Sequence, residues 1–223
     1  GIGNVPTGDK DPFALRRHAL GVIRMLIEKD VALGLSDLLA LSVPVFGDKI
    51  TGGADALIDF IYDRLSGSLR EQGYTAQEVD AVVSQRPQRL GDIPKRLAAV
   101  RTFAALPEAA ALAAANKRVG NILKKVEDSV DAWVDTALLK EAAEVALHAA
   151  LVDVVPQADA AFITGDYTES LQALAALRAP VDAFFDDVMV NAEDPALRAN
   201  RLGLLAKLHL AMNQVADISK LSA

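Results

Sequence analysis

The sequence contains no cysteine among its 223 residues. That excludes a disulfide framework and any thiolate metal site, and it fits a cytoplasmic protein. Aromatic residues make up only 5%. An aromatic-poor chain rich in Ala and Leu favours helix bundles over β-sandwiches. No uninterrupted apolar run reaches the roughly 20 residues that a membrane-spanning helix needs. The alanine-rich LPEAAALAAANKR is broken by Glu108 and ends in charge. The opening GIGNVPTGDKDPF lacks the basic and apolar regions of a signal peptide. It also lacks an initiating Met, so the expectation is a piece of a longer protein.

Catalytic signatures are missing as well. His18, His148 and His209 are far apart, with no spacing that suits a metal. GDKITGG lacks the Gly-Lys-Ser/Thr ending of a phosphate loop and no strand precedes it, so it reads as a turn. Neighbouring acids, Asp186 with Asp187 and Glu193 with Asp194, point about 100° apart on a helix and form no acid/base pair. No G-x-S-x-G nucleophile motif occurs. The expectation is a chain with no catalytic site and no metal.

What is present is helical periodicity. Hydrophobic residues are 52% and charged residues 24%, a globular balance for one or two domains. Asp11 and Pro12 suit the N-cap and first position of a helix running to about Asp30. ADALIDFIYDRLSGSLREQG reads as an amphipathic helix stopped by Gly73. Thr75 and Glu78 have capping-box spacing. Pro94 and Pro107 open further helices, an acidic helical region follows, and Asp194-Pro195 starts the last long helix. No strand-like alternation persists. The fold class is all-α.

Charge is unevenly placed. The chain has a formal net charge of -7, yet residues 86–125 hold nine Lys/Arg against two acids. Residues 126–194 hold two against fifteen. Such asymmetry points to an anionic partner. At about 100° per residue, Lys117, Arg118, Asn121, Lys124 and Lys125 share one arc, and Val119, Ile122, Leu123 and Val126 share the opposite one. The functional reading is a face for phosphates, with Arg89, Lys95, Arg96 and Arg101 nearby. The plain reading is a solvated helix face balanced by the acidic region after it.

The last helix behaves differently. Leu197, Leu202, Leu204, Leu205, Leu208 and Met212 form an apolar arc, and Arg198, Arg201 and His209 fall inside it. Arginines on a packing face need acids or carbonyls, because an unpaired buried charge is costly. Asp186, Asp187 and Asp217 are the candidate partners. Arg198 and Arg201 are read as structural, with direct nucleic-acid contact as the alternative. Asn200, Lys207 and Gln214 fall on the solvent arc.

Longer stretches carry a resemblance. GDIPKRLAAVRTFAALPEAAALAAANKRVGNILKK, then VDAFFDDVMVNAEDPALRANRLGLLAKL, then VADISKL look like the C-terminal part of bacterial glycyl-tRNA synthetase β subunits. The opening PTGDKDPFALRRHALGVIRMLIEK resembles a segment well upstream of that family's anticodon-binding domain. The likeness covers essentially all of the chain in order. DPALR is similar to the D-A-L-R motif that names the DALR anticodon-binding domain. No His-Asp dipeptide occurs, so most of the family's HD-like domain would be missing.

The resemblance implies a helical body over residues 1–105 and a DALR-like bundle over 106–223. It implies an enzyme of two α and two β subunits, an aminoacyl-tRNA synthetase acting in protein biosynthesis. Glycine, ATP and Mg bind the α subunit, and the β subunit binds glycine tRNA, the DALR-like domain reading the anticodon end. No cofactor and no membrane are expected here. Lys117, Arg118, Asn121, Lys124 and Lys125 become the leading tRNA contacts, followed by Arg89, Lys95, Arg96 and Arg101, then Asn200 and Lys207. Asp194, Arg198 and Arg201 form the structural motif. Any base stacking would use Tyr167, Phe184 or Phe185. The rival reading is an assembly module whose basic face docks acidic protein surface.

Overall fold

A computed structural model describes residues 10–11, 13–50, 52–126 and 129–222. The described residues build helices and short 3-10 turns, with no extended strand among them. The chain is all-α. It divides into two compact units, Gly1–Leu97 and Ala98–Ala223. The division falls inside a continuous helix, Ile93–Ala104, whereas the resemblance implies a boundary near residue 105.

In the first unit, α1 (Leu15–Glu28) and α3 (Ala54–Glu71) pack together, and α4 (Ala76–Val83) packs on α3. α2 (Leu35–Ser42) lies between α1 and α3 in the chain and ends in a 3-10 turn, Val43–Lys49. Ile23, Leu26, Ile61, Leu65, Leu69 and Val79 are buried at helical spacing. Burial of such side chains contributes roughly 1.5–3 kcal/mol each.

The ends of these helices follow local chemistry. Thr75 Oγ1 accepts from the Glu78 N–H at 3.2 Å, and Glu78 accepts from the Thr75 N–H at 2.7 Å. This is the capping box that the sequence spacing predicts. Gly73 takes φ 92° after α3, a left-handed conformation that favours glycine. α1 starts later than its sequence suggests. Ala14 holds the N-cap position, and Asp11 reaches forward to accept from the Leu15 and Arg16 N–H groups at 2.8 and 3.0 Å. Pro12, the expected first helical residue, lies outside the described residues.

The second unit contains the end of α5 (Ile93–Ala104), then α6 (Ala109–Leu123), α7 (Ala142–Thr164), α8 (Tyr167–Ala173), α9 (Arg178–Asp187) and α10 (Pro195–Met212). α10 packs on both α6 and α7, and α7 also packs on α8 and α9. A final 3-10 turn, Ile218–Leu221, closes against α6. Leu112, Val119, Leu147, Leu151, Phe184, Leu204, Leu205, Leu208 and Met212 form the core of this bundle.

α10 begins as DPALR predicts. Asp194 Oδ1 accepts from the Ala196 and Leu197 N–H groups at 2.8 and 3.4 Å, and Pro195 needs no N–H partner. α7 is the one described single helix long and apolar enough to cross a membrane by length and composition. Its buried side, however, packs in the bundle and carries the ion-paired Glu144.

Candidate nucleic-acid interface

α6 and the turn that follows it, which holds Lys124, Lys125 and Val126, separate their two faces as the wheel predicts. Val119 is fully buried, and Ile122, Leu123 and Val126 are half-buried. Lys117, Arg118, Asn121, Lys124 and Lys125 are all exposed. No ion pair joins Lys117, Lys124 or Lys125 to a carboxylate among the described residues. Glu127 and Asp128, next in the chain, lie outside the described residues. The Arg118 guanidinium lies over the Phe185 ring of α9, 4.1 Å from its centroid. That cation–π contact holds Arg118 in place while leaving its N–H groups at the surface.

The other candidate cations lie on other elements. Arg89 bonds Asp30 at 2.8 Å and stands 3.7 Å from Asp92. Lys95 Nζ stands 3.7 Å from the same Asp30. Both belong to the first unit, as does the half-buried Arg96; Arg101 is exposed on the part of α5 in the second unit. Lys207, half-buried on α10, lies close enough to His148 to lower its pKa, after burial has already done so.

α10 departs from its wheel. Asn200, expected on the solvent side, is 5% exposed. It accepts from the Asp135 N–H at 2.7 Å and donates to the Asp135 carbonyl at 3.1 Å. Arg198, expected on the packing face, is exposed. Arg201 is buried as expected, but not against Asp186, Asp187 or Asp217. Its Nε donates to Glu144 at 2.7 Å and its Nη1 to the Met189 carbonyl at 2.7 Å.

The other Glu144 oxygen accepts from the Lys140 and Glu141 N–H groups at 2.8 and 2.7 Å. Burial pushes the Glu144 carboxyl up, but Arg201 and these two N–H groups outweigh it and hold it below the ordinary carboxylate range. Arg201 therefore ties α10 to the start of α7 through its ion pair and to the segment after α9 through a hydrogen bond.

A second polar cluster joins α6 to the end of α10. Asn116, fully buried, exchanges amide hydrogen bonds with Asn213 at 2.9 and 3.0 Å, and both amides approach His209 Nδ1 at 2.9 Å. Burial lowers the His209 pKa; Asp217 opposes this and Lys124 adds to it. The cluster lies on the buried side of α6 and anchors that helix to the end of α10.

The segment between α6 and α7 carries the feature that the sequence pattern hid. It crosses α10 at Gly203, where an added Cβ would press into the Trp133 carbonyl and lie 3.2 Å from that of Asp131. Trp133 itself is 70% exposed. The rings expected to stack are placed otherwise. Tyr167 and Phe184 are buried, and Phe185 lies under Arg118. Trp133 sits in an irregular segment, where periodicity gives no signal. It lines an open groove of about 1080 Å³ together with Lys125 and Arg198. Among the described residues, no group of three or more His, Asp or Glu could hold a metal.

Comparison with known proteins finds two families along the chain. The family model described as "Glycyl-tRNA synthetase beta subunit" matches residues 1–84, and the one described as "DALR anticodon binding domain" matches residues 112–222. The glycine–tRNA ligase beta subunit of Dechloromonas aromatica is 80% identical over the whole chain, which spans 32% of that relative. Those of Polaromonas naphthalenivorans and Delftia acidovorans are 74% and 70% identical, again over the whole chain and over 31% and 32% of the relatives. The chain belongs to the glycyl-tRNA synthetase β-subunit family. It spans about a third of the length of these relatives. The DALR match takes in most of α6 and all of α10, so the basic face, the buried Arg201 pair and the Trp133 groove all lie inside it.

Proposed function

We propose that this chain supplies tRNA recognition to a glycine–tRNA ligase as part of its β subunit. The second unit would bind the anticodon end of glycine tRNA, and the α subunit would join glycine to that tRNA using ATP and Mg. The other partners would be the α subunits and a second β subunit in an α2β2 enzyme acting in the cytoplasm.

The observation that carries the reading is the exposed face of α6. Three lysines with no carboxylate partner among the described residues stand beside Asn121 and a pre-positioned Arg118. The helix beneath them is fixed by the buried Asn116 cluster, so phosphates would meet cations whose backbone is already ordered. Like charges at i,i+4 spacing repel slightly, and a polyanion relieves that repulsion. Phosphate contacts would position the RNA, while base edges would supply specificity. The assembly reading requires acidic protein surface opposite α6, and nothing in this fold favours it.

The test is a salt-series titration of the full-length β chain with glycine tRNA and with a tRNA of changed anticodon. Wild type is compared with the Lys117→Ala, Lys124→Ala, Lys125→Ala triple variant. The expected result is preference for glycine tRNA and weaker binding by the triple. The triple's log–log salt slope should be shallower by about 0.7–0.9 for each phosphate it no longer neutralises. Equal binding by the triple and wild type would remove α6 from the interface.

A further inference from the structure

We propose that the groove beside Trp133 receives one unstacked nucleobase of a single-stranded RNA loop, with Trp133 as its stacking platform. The proposal rests on the tRNA-binding reading above and adds to it a site for a base.

The segment carrying Trp133 is held unusually firmly for irregular chain. Asn200 takes both the N–H and the carbonyl of Asp135, and that amide is buried to do so. Two residues earlier the Trp133 carbonyl lies on Gly203, where no side chain would fit. The backbone is therefore fixed against α10 while the indole is left in solvent. Exposing a large ring at a fixed position forgoes burial that would stabilise the fold. Such an arrangement suits a surface that gains its burial from a ligand.

Charge and continuity identify the ligand. Lys125, on the same groove, is also a member of the α6 basic face, so the two surfaces are continuous. Arg198, the arginine of DPALR, lines the groove from the first turn of α10. A phosphate next to a stacked base would thus have a cation in the same groove to meet. Asp131 and Asn191 also line the groove and offer hydrogen-bonding groups to a base edge. An exposed ring and two cations lining one groove match how single strands are bound: aromatic stacking for the base, electrostatics for the backbone. Duplex RNA does not fit, because its bases are already stacked on one another.

The experiment uses the full-length β chain and the anticodon stem-loop of glycine tRNA, intact or carrying one abasic site at each loop position in turn. Trp133→Ala should weaken binding of the intact loop about 10- to 100-fold, the range for loss of one stacked base. Wild type should lose a similar factor at one abasic position, and Trp133→Ala should lose nothing further there. Trp133→Phe should restore most of the affinity, which a role limited to holding the segment would not require.

The proposal is overturned if Trp133→Ala binds the intact loop like wild type. It is also overturned if the variant keeps the full abasic penalty at every position, or if it weakens only assembly with the α subunit. Should wild type bind no stem-loop, the tRNA-binding reading falls together with it. Should the α6 triple variant weaken binding while Trp133→Ala does not, the groove proposal alone falls.

Discussion

α6 and α10 pack against each other in one bundle, and each carries several cations, yet they use them in opposite ways. α6 lies at the surface, so its lysines extend into solvent while its opposite side, Asn116 included, is buried. α10 runs through the middle, with every residue from Asn200 to Ala206 buried. A cation there survives only where another element brings a carboxylate, as α7 brings Glu144 to Arg201 at 2.7 Å. The charge of a helix therefore says little until its depth is known. Positive charge on a surface helix can serve a ligand, whereas on a central helix it serves the fold.

Disrupting the buried pair should have the largest effect. Arg201→Met should destabilise the chain by about 3–5 kcal/mol, since it leaves the Glu144 carboxylate buried without its cation. Adding Glu144→Leu should recover part of that loss, because an apolar pair avoids the desolvation cost. Denaturant unfolding of both variants checks this, and a loss under 1 kcal/mol for Arg201→Met would show that the pair is not the tie described. Gly203→Ala ranks next. Its methyl group would collide with backbone carbonyls that cannot rotate away, at an expected cost of about 1–3 kcal/mol. Hydrogen exchange should show faster exchange of the Asp135 amide, whose bond to Asn200 depends on the same close approach.

Much of this was legible beforehand, and the rest had a physical reason to be hidden. The caps at Thr75 and Asp194 could be read because they are local: donor and acceptor lie within three residues. The α6 faces could be read because a surface helix has a polar side to find. α10 misled the wheel at Asn200 and Arg198 because a helix buried almost all round has no solvent arc to locate. Glu144 could not be matched to Arg201 across 57 residues of sequence, and nearer acids offered themselves instead. Trp133 escaped because irregular chain has no period. Only the close approach at Gly203, a feature of the folded backbone, shows why its position is fixed.

Acid should separate the two polar clusters, the Glu144–Arg201 pair and the His209 cluster, by pH. The folded-state pKa of Glu144 lies below its ordinary 4.5, so the folded state holds fewer protons there than the unfolded chain. Its contribution is present above about pH 4.5 and is lost as pH falls through the depressed value. His209 acts earlier, because burial favours its neutral form: stability falls as pH drops below about 6.5 toward its lowered pKa. Unfolding measured from pH 7 down to about pH 2 should show both steps. Glu144→Gln should remove the lower one and leave the upper. If the lower step persists in Glu144→Gln, another carboxylate is responsible and Glu144 does not govern the acid response of α10.

The smallest expected effect tests the other side of the contrast. Lys117→Ala, Lys124→Ala and Lys125→Ala together should change stability by no more than about 0.5 kcal/mol, because exposed side chains without partners contribute little to the fold. The change should be slightly favourable if anything, since it removes repulsion along one face. Arg89→Ala should be similarly mild, its partner Asp30 being half exposed, at 51%. The two variants should then part company on RNA, the α6 triple losing salt-dependent affinity and Arg89→Ala keeping most of it. A stability loss above 1 kcal/mol in the triple would mean that these lysines hold the bundle together, and α6 would resemble α10 after all.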